Sequence, residues 1–202
     1  DAIIGEEGGR HGDTSSGDVW IIDPIDGTTN FMRGLPDWAV SIACACAGRI
    51  VLGVIYAPDH DVMLEGLLAE TPIARKNGAA LCPANGGVVS QPLIAVGWSR
   101  RTDFTDHAAF LGQIVARGGE YRRSGAATIG LIGVACGWVE AYVERELNLW
   151  DAAAGIAIIR AAGGVVIAPA FTPRLETPAA FVALARSDDD LAHFLQGAVE
   201  TT

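Results

Sequence analysis

The segment Trp20-Ile21-Ile22-Asp23-Pro24-Ile25-Asp26-Gly27-Thr28-Thr29-Asn30-Phe31 constrains this chain more than any other. An apolar strand runs straight into two aspartates, and the turn that follows is built from small residues. Pro24 removes a backbone donor and fixes φ, so the carboxylates of Asp23 and Asp26 and the carbonyl between them, that of Ile25, can converge on one small volume. Gly27-Thr28-Thr29 leaves backbone N–H groups free to point at an anion. Hard oxygen ligands beside free amides are what magnesium-assisted phosphoryl chemistry requires. Taken alone, the tetrapeptide 23–26 also fits a helix N-cap followed by a turn aspartate; the Gly-Thr-Thr-Asn that follows favours a metal-and-phosphate site.

Half of the 202 residues are hydrophobic, enough for a sizeable core in one large domain or two closely packed halves. The formal charge of −10 and the pI near 4.7 speak against electrostatic binding to nucleic acid or to an anionic membrane. An acidic protein that handles phosphate needs cations at the site. No apolar run reaches the about 20 residues of a membrane span, and the start Asp1-Ala2-Ile3-Ile4-Gly5 has no signal-peptide features, so a cytoplasmic protein is expected. The chain begins without Met and as if already entering a strand, which reads as a fragment lacking an N-terminal segment.

Cys44, Cys46, Cys82 and Cys136 show no CxxC spacing and no neighbouring histidine. They read as buried thiols in a reducing compartment, with neither a zinc site nor a disulfide framework. His11, His60, His107 and His193 read as surface or loop residues, and none stands in a triad-like setting.

Along the chain, residues 2–4 and 19–22 read as strands, and the polar, glycine-rich stretch that follows Gly5-Glu6-Glu7-Gly8-Gly9 and runs to Gly17 reads as a loop, a candidate flap. Residues 38–47 and 50–56 read as an antiparallel hairpin around Gly48-Arg49, with 62–68 as a third strand. Pro83, Asn85, Gly86, Gly87 and Pro92 mark 81–92 as a connection. Beyond it strands and helices alternate: strand 93–97, helix 106–117, a short strand near Tyr121, helix 126–136, strand 138–143, helix 151–162 ending at Gly163-Gly164, strands 165–168 and 181–185, and helix 189–199. The pattern predicts an α/β architecture with a sheet-rich half over 1–85 and an α/β half over 86–202.

Two further acidic positions matter in combination. Glu6 lies in Gly5-Glu6-Glu7-Gly8, by itself an ordinary acidic loop. Asp151 lies in Leu149-Trp150-Asp151-Ala152-Ala153-Ala154-Gly155, where alone it reads as a helix N-cap. In order with the 23–31 motif, and with Ala162-Gly163-Gly164 after them, these segments resemble the inositol monophosphatase family of magnesium-dependent, lithium-sensitive phosphatases, which also takes in fructose bisphosphatase and histidinol-phosphate phosphatase. The resemblance covers most of the chain. It implies an αβαβα five-layer sandwich, here shortened at the N-terminus, that dimerises and takes two or three Mg²⁺.

Residue by residue, the resemblance makes Glu6 a metal ligand, Asp23 the aspartate that bridges two metals, Ile25 a ligand through its carbonyl, and Asp26 and Asp151 ligands of the second metal. Thr28 with Glu6 would align the attacking water, which makes Glu6, Thr28 and Asp26 the catalytic residues. Ile25, Asp26, Gly27, Thr28 and Asp151 would also meet the substrate; Gly27 and Thr28 would supply phosphate-binding amides, Gly125, Ala126 and Ala127 a helix start that contacts it, and Glu144 a carboxylate for its hydroxyls. The implied function is hydrolysis of a small phosphate monoester by in-line attack of metal-activated water, with no phosphoenzyme.

The substrate stays open. Asn148 stands where animal enzymes carry a histidine, Glu146 replaces a common glycine, and Met32-Arg33 replaces a frequent Val-His pair. Arg33 also resembles histidinol-phosphate phosphatases. Arg122 and Arg123 fit either a second anionic group on the substrate or an ordinary surface. Inositol phosphate, histidinol phosphate and fructose bisphosphate are the candidates, beside a non-catalytic regulatory or binding protein on the same fold.

Overall fold

The computed structural model describes residues 1–13, 17–81, 91–169 and 177–200. Most of the expected flap tip and of the 81–92 connection, and Cys82, lie outside the described residues.

The first sheet is built from β1 (Ala2–Gly5), β2 (Gly9–His11), β3 (Asp18–Asp26), β4 (Ala39–Cys46), β5 (Arg49–Ala57), β6 (Val62–Leu67), β7 (Ile73–Lys76) and β8 (Ala79–Ala80). Its order is β2-β1-β3-β4-β5-β6-β7-β8, with β1 parallel to β3 and every other pair antiparallel. Two details differ from the sequence reading. The stretch 10–17 is not loop throughout, because Glu6-Glu7-Gly8 turns the chain and Gly9–His11 pairs back on β1. The β7–β8 hairpin turns on Asn77-Gly78, both at positive φ (49° and 80°), the Asn-Gly signature of a tight hairpin.

The second sheet comprises β9 (Leu93–Val96), β10 (Glu120–Arg122), β11 (Ala141–Leu147), β12 (Val165–Ile167) and β13 (Ala179–Leu184), in the order β10-β9-β11-β13-β12. β9, β10 and β11 run parallel, and β13 runs antiparallel to both neighbours. β11 continues past the expected end at Val143, which places Glu144 inside the strand rather than after it.

Among the described residues five helices accompany the sheets: α1 (Thr28–Met32), α2 (Phe104–Ala116), α3 (Ala127–Ala135), α4 (Leu149–Ala161) and α5 (Asp189–Glu200). α2 begins two residues before the expected Asp106, because the Asp103 side chain caps it by accepting from the Thr105 N–H at 2.6 Å. α3 and α4 are apolar on nearly every side and lie between the two sheets, as helices without a polar face must. One core joins Val19, Ile21, Ile55 and Leu64 of the first sheet to Leu131, Ile158 and Ile159 of these helices and to Tyr142, Phe181 and Ala183 of the second sheet. A smaller core, with Val96, Phe110, Ile114, Val182 and Leu195, binds α2 and α5 to the second sheet's other face.

The chain is therefore an α/β layered fold of sheet, helices, sheet and helices, four layers of the expected sandwich. The eight-stranded sheet turns Ile3, Tyr56, Met63 and Leu67 outward and exposed. His107, read from sequence as a surface residue, is instead buried on α2. It packs near the rings of Trp98 and Phe104 (6.1 and 6.3 Å between centroids), and burial lowers its pKa.

α4 rests on the first sheet at two glycines. A Cβ on Gly53 would stand 2.3 Å from the Ala154 carbonyl oxygen, and one on Gly66 would stand 2.4 Å from Ile158 Cα. Only glycine admits a helix backbone this close to a strand.

Candidate active site

Asp23 and Asp26 are three residues apart, and in a regular strand they would face opposite sides of the sheet. The β3–β4 register slips between them, at Pro24, which has no N–H to give the ladder. The slip turns both carboxylates inward, 1% and 9% exposed, and leaves Pro24 in solvent. Asp23 Oδ1 accepts the Ile25 N–H at 2.9 Å, and the Thr28 hydroxyl donates to the Ile25 carbonyl at 3.0 Å.

Gly27 then reverses the chain at φ 86°, where a Cβ would lie 2.8 Å from the Asp37 carbonyl oxygen and 2.9 Å from Ala126 Cβ. The buried Asn30 amide donates to the carbonyls of Asp37 (2.6 Å) and Ser124 (2.9 Å), tying this turn to the one before α3. From α3, Thr128 donates to Asp26 Oδ2 twice, through its N–H at 2.7 Å and its hydroxyl at 2.5 Å.

α4 supplies the third carboxylate. Asp151 sits in its first turn rather than at its cap, which is Asn148. The Asn148 amide donates to Asp151 Oδ2 at 3.0 Å, and the Ser41 hydroxyl of β4 donates to the Trp150 carbonyl at 3.1 Å, fastening the start of α4 to the strand that faces it. Carboxylate oxygens of Asp23, Asp26 and Asp151 lie within 4.8 Å of one another. Among the described residues no N–H or hydroxyl donates to the buried Asp23 Oδ2, and the Asp23 and Asp151 carboxyls are hydrogen-bonded to each other.

Three acids this close in a poorly solvated site cannot all ionise freely. Burial, reinforced by the charge of Asp26, pushes Asp151 up to about 9 and Asp23 up to about 7. Burial also raises Asp26, while the two Thr128 donors pull it back toward the charged form. An orphaned buried oxygen among three converging carboxylates fits an oxygen-coordinated divalent cation such as Mg²⁺.

A cavity of about 110 Å³ opens beside the cluster. Asp26, Asp151, Gly125, Ala126, Ala127 and Glu144 all line it, together with Trp98, Arg123 and Tyr142. Glu144 accepts the Tyr142 hydroxyl at 2.5 Å, and burial pushes its carboxyl up to about 7. Ile25, Gly27 and Thr28 do not line it; Gly27 packs against Ala126, which does. Glu6 stands exposed after β1, its N–H donating to the Ile22 carbonyl at 3.4 Å; its charge acts on Asp23 and Asp26, but its carboxylate is outside the group of three.

Arg123 reaches the Trp98 carbonyl (3.4 Å), with its guanidinium 5.8 Å from that ring. Arg122 and Arg33 are exposed, and Glu146 is held by Arg101 at 3.2 Å. Sequence reasoning missed Thr128, Tyr142 and the bridging part played by Asn30. Thr128 directly follows Ala126-Ala127 at a recognised helix start, and that adjacency was its only signal.

Residues 1–198 match the inositol monophosphatase family. The chain belongs to that family. The Nus factor SuhB of Salmonella typhimurium strain LT2 is 35% identical over 166 residues, 81% of this chain and 61% of that protein, so the chain spans about three fifths of the length of such relatives. Among solved structures, the inositol monophosphatase from Anabaena (Nostoc) sp. PCC 7120 superposes with a TM-score of 0.82 at 31% identity, covering 97% of this chain and 78% of its own. SaIMPase-II with inositol monophosphate bound superposes with a TM-score of 0.78 at 27% identity, covering 96% and 76%. As a family member the chain has a phosphatase's fold, and its acidic cluster is of a kind that can bind metal.

Proposed function

We propose that this chain carries the active site of a Mg²⁺-dependent phosphomonoesterase acting on a small phosphorylated metabolite of the inositol monophosphate kind. The observation that carries the reading is the convergence of the Asp23, Asp26 and Asp151 carboxylates within 4.8 Å of one another, beside a cavity that Asp26, Asp151 and Glu144 line. Two or three Mg²⁺ would be held by Glu6, Asp23, the Ile25 carbonyl, Asp26 and Asp151, and when bound would neutralise the phosphate and acidify the attacking water.

The protein's own groups do the rest. The Thr28 hydroxyl gives its proton to the Ile25 carbonyl, so its oxygen lone pairs remain to accept from a water that Glu6 also holds. The backbone at Gly27 and Thr28 faces the phosphate, the Gly125-Ala126-Ala127 turn seats the ester, and Glu144, braced by Tyr142, meets the hydroxyls of the alcohol. Because Thr128 fixes Asp26 Oδ2, the other Asp26 oxygen is oriented toward the metal side. By analogy the working form is a cytoplasmic homodimer, which sedimentation would check.

A second reading has one observation in its favour. The SuhB relatives carry the name of a factor rather than of an enzyme, so the chain would act as a regulatory protein through partner contacts. Phosphate release from inositol monophosphate, histidinol phosphate and fructose bisphosphate, with Mg²⁺ and with excess chelator, separates the two. The phosphatase reading expects turnover of at least one ester, best for inositol monophosphate, that chelator and Asp26→Asn each abolish while circular dichroism stays native. Turnover that survives the chelator, or a folded protein inert toward all three, would overturn it.

A further inference from the structure

A second group of metal-ligating side chains lies at the far end of the β3–β4 pair. Cys44 and Cys46 are two residues apart on β4, so both side chains leave the same face. Asp18, at the start of β3, is the direct cross-strand partner of Cys46, and Trp20 that of Cys44. Ser41 reaches the Trp150 carbonyl, and Ala43 and Ala45 belong to the main core. By alternation the two thiols and Asp18 face the other side of the sheet, away from α4. Cys44 is buried there, 6% exposed, yet is part of neither hydrophobic core.

The Sγ atoms of Cys44 and Cys46 and a carboxylate oxygen of Asp18 lie within 4.8 Å of one another, and the Cys46 thiol is hydrogen-bonded to Asp18. Sequence spacing concealed this set, because C-x-C is not a zinc signature and the third ligand arrives from a neighbouring strand.

We propose that Asp18, Cys44 and Cys46 form a binding site for a thiophilic divalent cation, Zn²⁺, separate from the carboxylate cluster. Two thiolates and one carboxylate are a borderline-soft donor set that suits Zn²⁺ with a water as fourth ligand, and that Mg²⁺ refuses. The two sites therefore sort cations by chemistry. Asp23, Asp26 and Asp151 offer oxygen alone, whereas this site offers two sulfurs.

The test uses the whole reduced chain with Mg²⁺ in excess, so that the carboxylate cluster is satisfied. Added Co²⁺ is expected to give a thiolate-to-metal charge-transfer band at one ion per chain, which Zn²⁺ abolishes by displacement. Oxygen ligands cannot produce that band. C44S and C46S each lose it, C136S keeps it, and D18N keeps it with weaker binding. Should a serine variant fail to fold by circular dichroism, alkylation mapped on the wild-type chain decides: Zn²⁺ is expected to protect the half-buried Cys46 and to leave the half-buried Cys136 reactive. No band in the wild type, a band that outlives C44S and C46S together, or alkylation of Cys46 indifferent to Zn²⁺ would overturn the proposal.

Discussion

The two flanks of the carboxylate cluster are built on different principles. On the α3 side, Asp26 receives two donors from one residue, Thr128, and is oriented by the protein itself. On the α4 side, Asp151 has one amide from Asn148, and among the described residues no N–H or hydroxyl donates to Asp23 Oδ2. The first flank is a finished hydrogen-bond network, the second an unfinished one. Burying like charges without donors costs stability, and proteins keep such arrangements where a ligand completes them. The asymmetry says which carboxylates are to answer most to a cation, and it can be broken from either side.

The largest effect is expected on the unfinished side. Asp151→Asn removes a carboxylate from the cluster, and on the proposed function hydrolysis should fall by at least about 100-fold, because losing even a partner of a metal ligand costs 10–100-fold. The same variant removes a source of repulsion, so the metal-free protein should melt higher than wild type above neutral pH. A variant with near-native turnover would contradict the role given to this flank.

Next is the response to pH. The raised carboxyls of Asp23, Glu144 and Asp151, at about 7, 7 and 9, keep protons in the folded chain that the unfolded chain has released from about pH 4 upward. Folding then takes up protons, and the contribution of these groups to stability declines as pH rises from about 4 to 9. Melting curves without divalent cation should show this decline, and saturating Mg²⁺ should flatten it, since ions replace the protons. A metal-free midpoint that climbs between pH 6 and 9 would count against a proton-loaded cluster.

The smallest effect belongs to the finished side. Thr128→Val deletes the hydroxyl donor to Asp26 and keeps the backbone one, for a cost of about 1.5–3 kcal/mol, or roughly 2–4 °C of melting temperature per kcal/mol. Thr128→Ser should restore most of it. If valine and serine behaved alike, the hydroxyl would not be what orients Asp26.

Much of the fold was legible because its signals are local. Alternation marked β4 to β6, and Gly163-Gly164 marked the end of α4. The β2 strand was not legible, since Gly9-Arg10-His11 has no strand pattern and pairs only because the Glu6-Glu7-Gly8 turn folds it back on β1. His107 was misread for a similar reason: helix periodicity alone does not show that Trp98, from the segment before α2, lies beside that face of the helix. In the site, Asp23 and Asp26 were visible as a motif. Their common facing depends on the register slip at Pro24, and Thr128 as the partner of Asp26 depends on how α3 docks, a contact between residues 102 apart in the chain.

The seating of α4 on Gly53 and Gly66 reaches further than packing. Side chains between a helix and a sheet act as springs, which let the helix slide or lift by a fraction of an ångström when a rotamer changes. Backbone resting on backbone has no such give. Asp151 is therefore carried on a rigid mount whose height above Asp23 is set by two missing methyl groups, in strands that contribute no ligand. A methyl restored at Gly53 would act as a shim under that mount, and its effect would be read at the carboxylates, as weakened Mg²⁺ binding, rather than at the strand where it was placed.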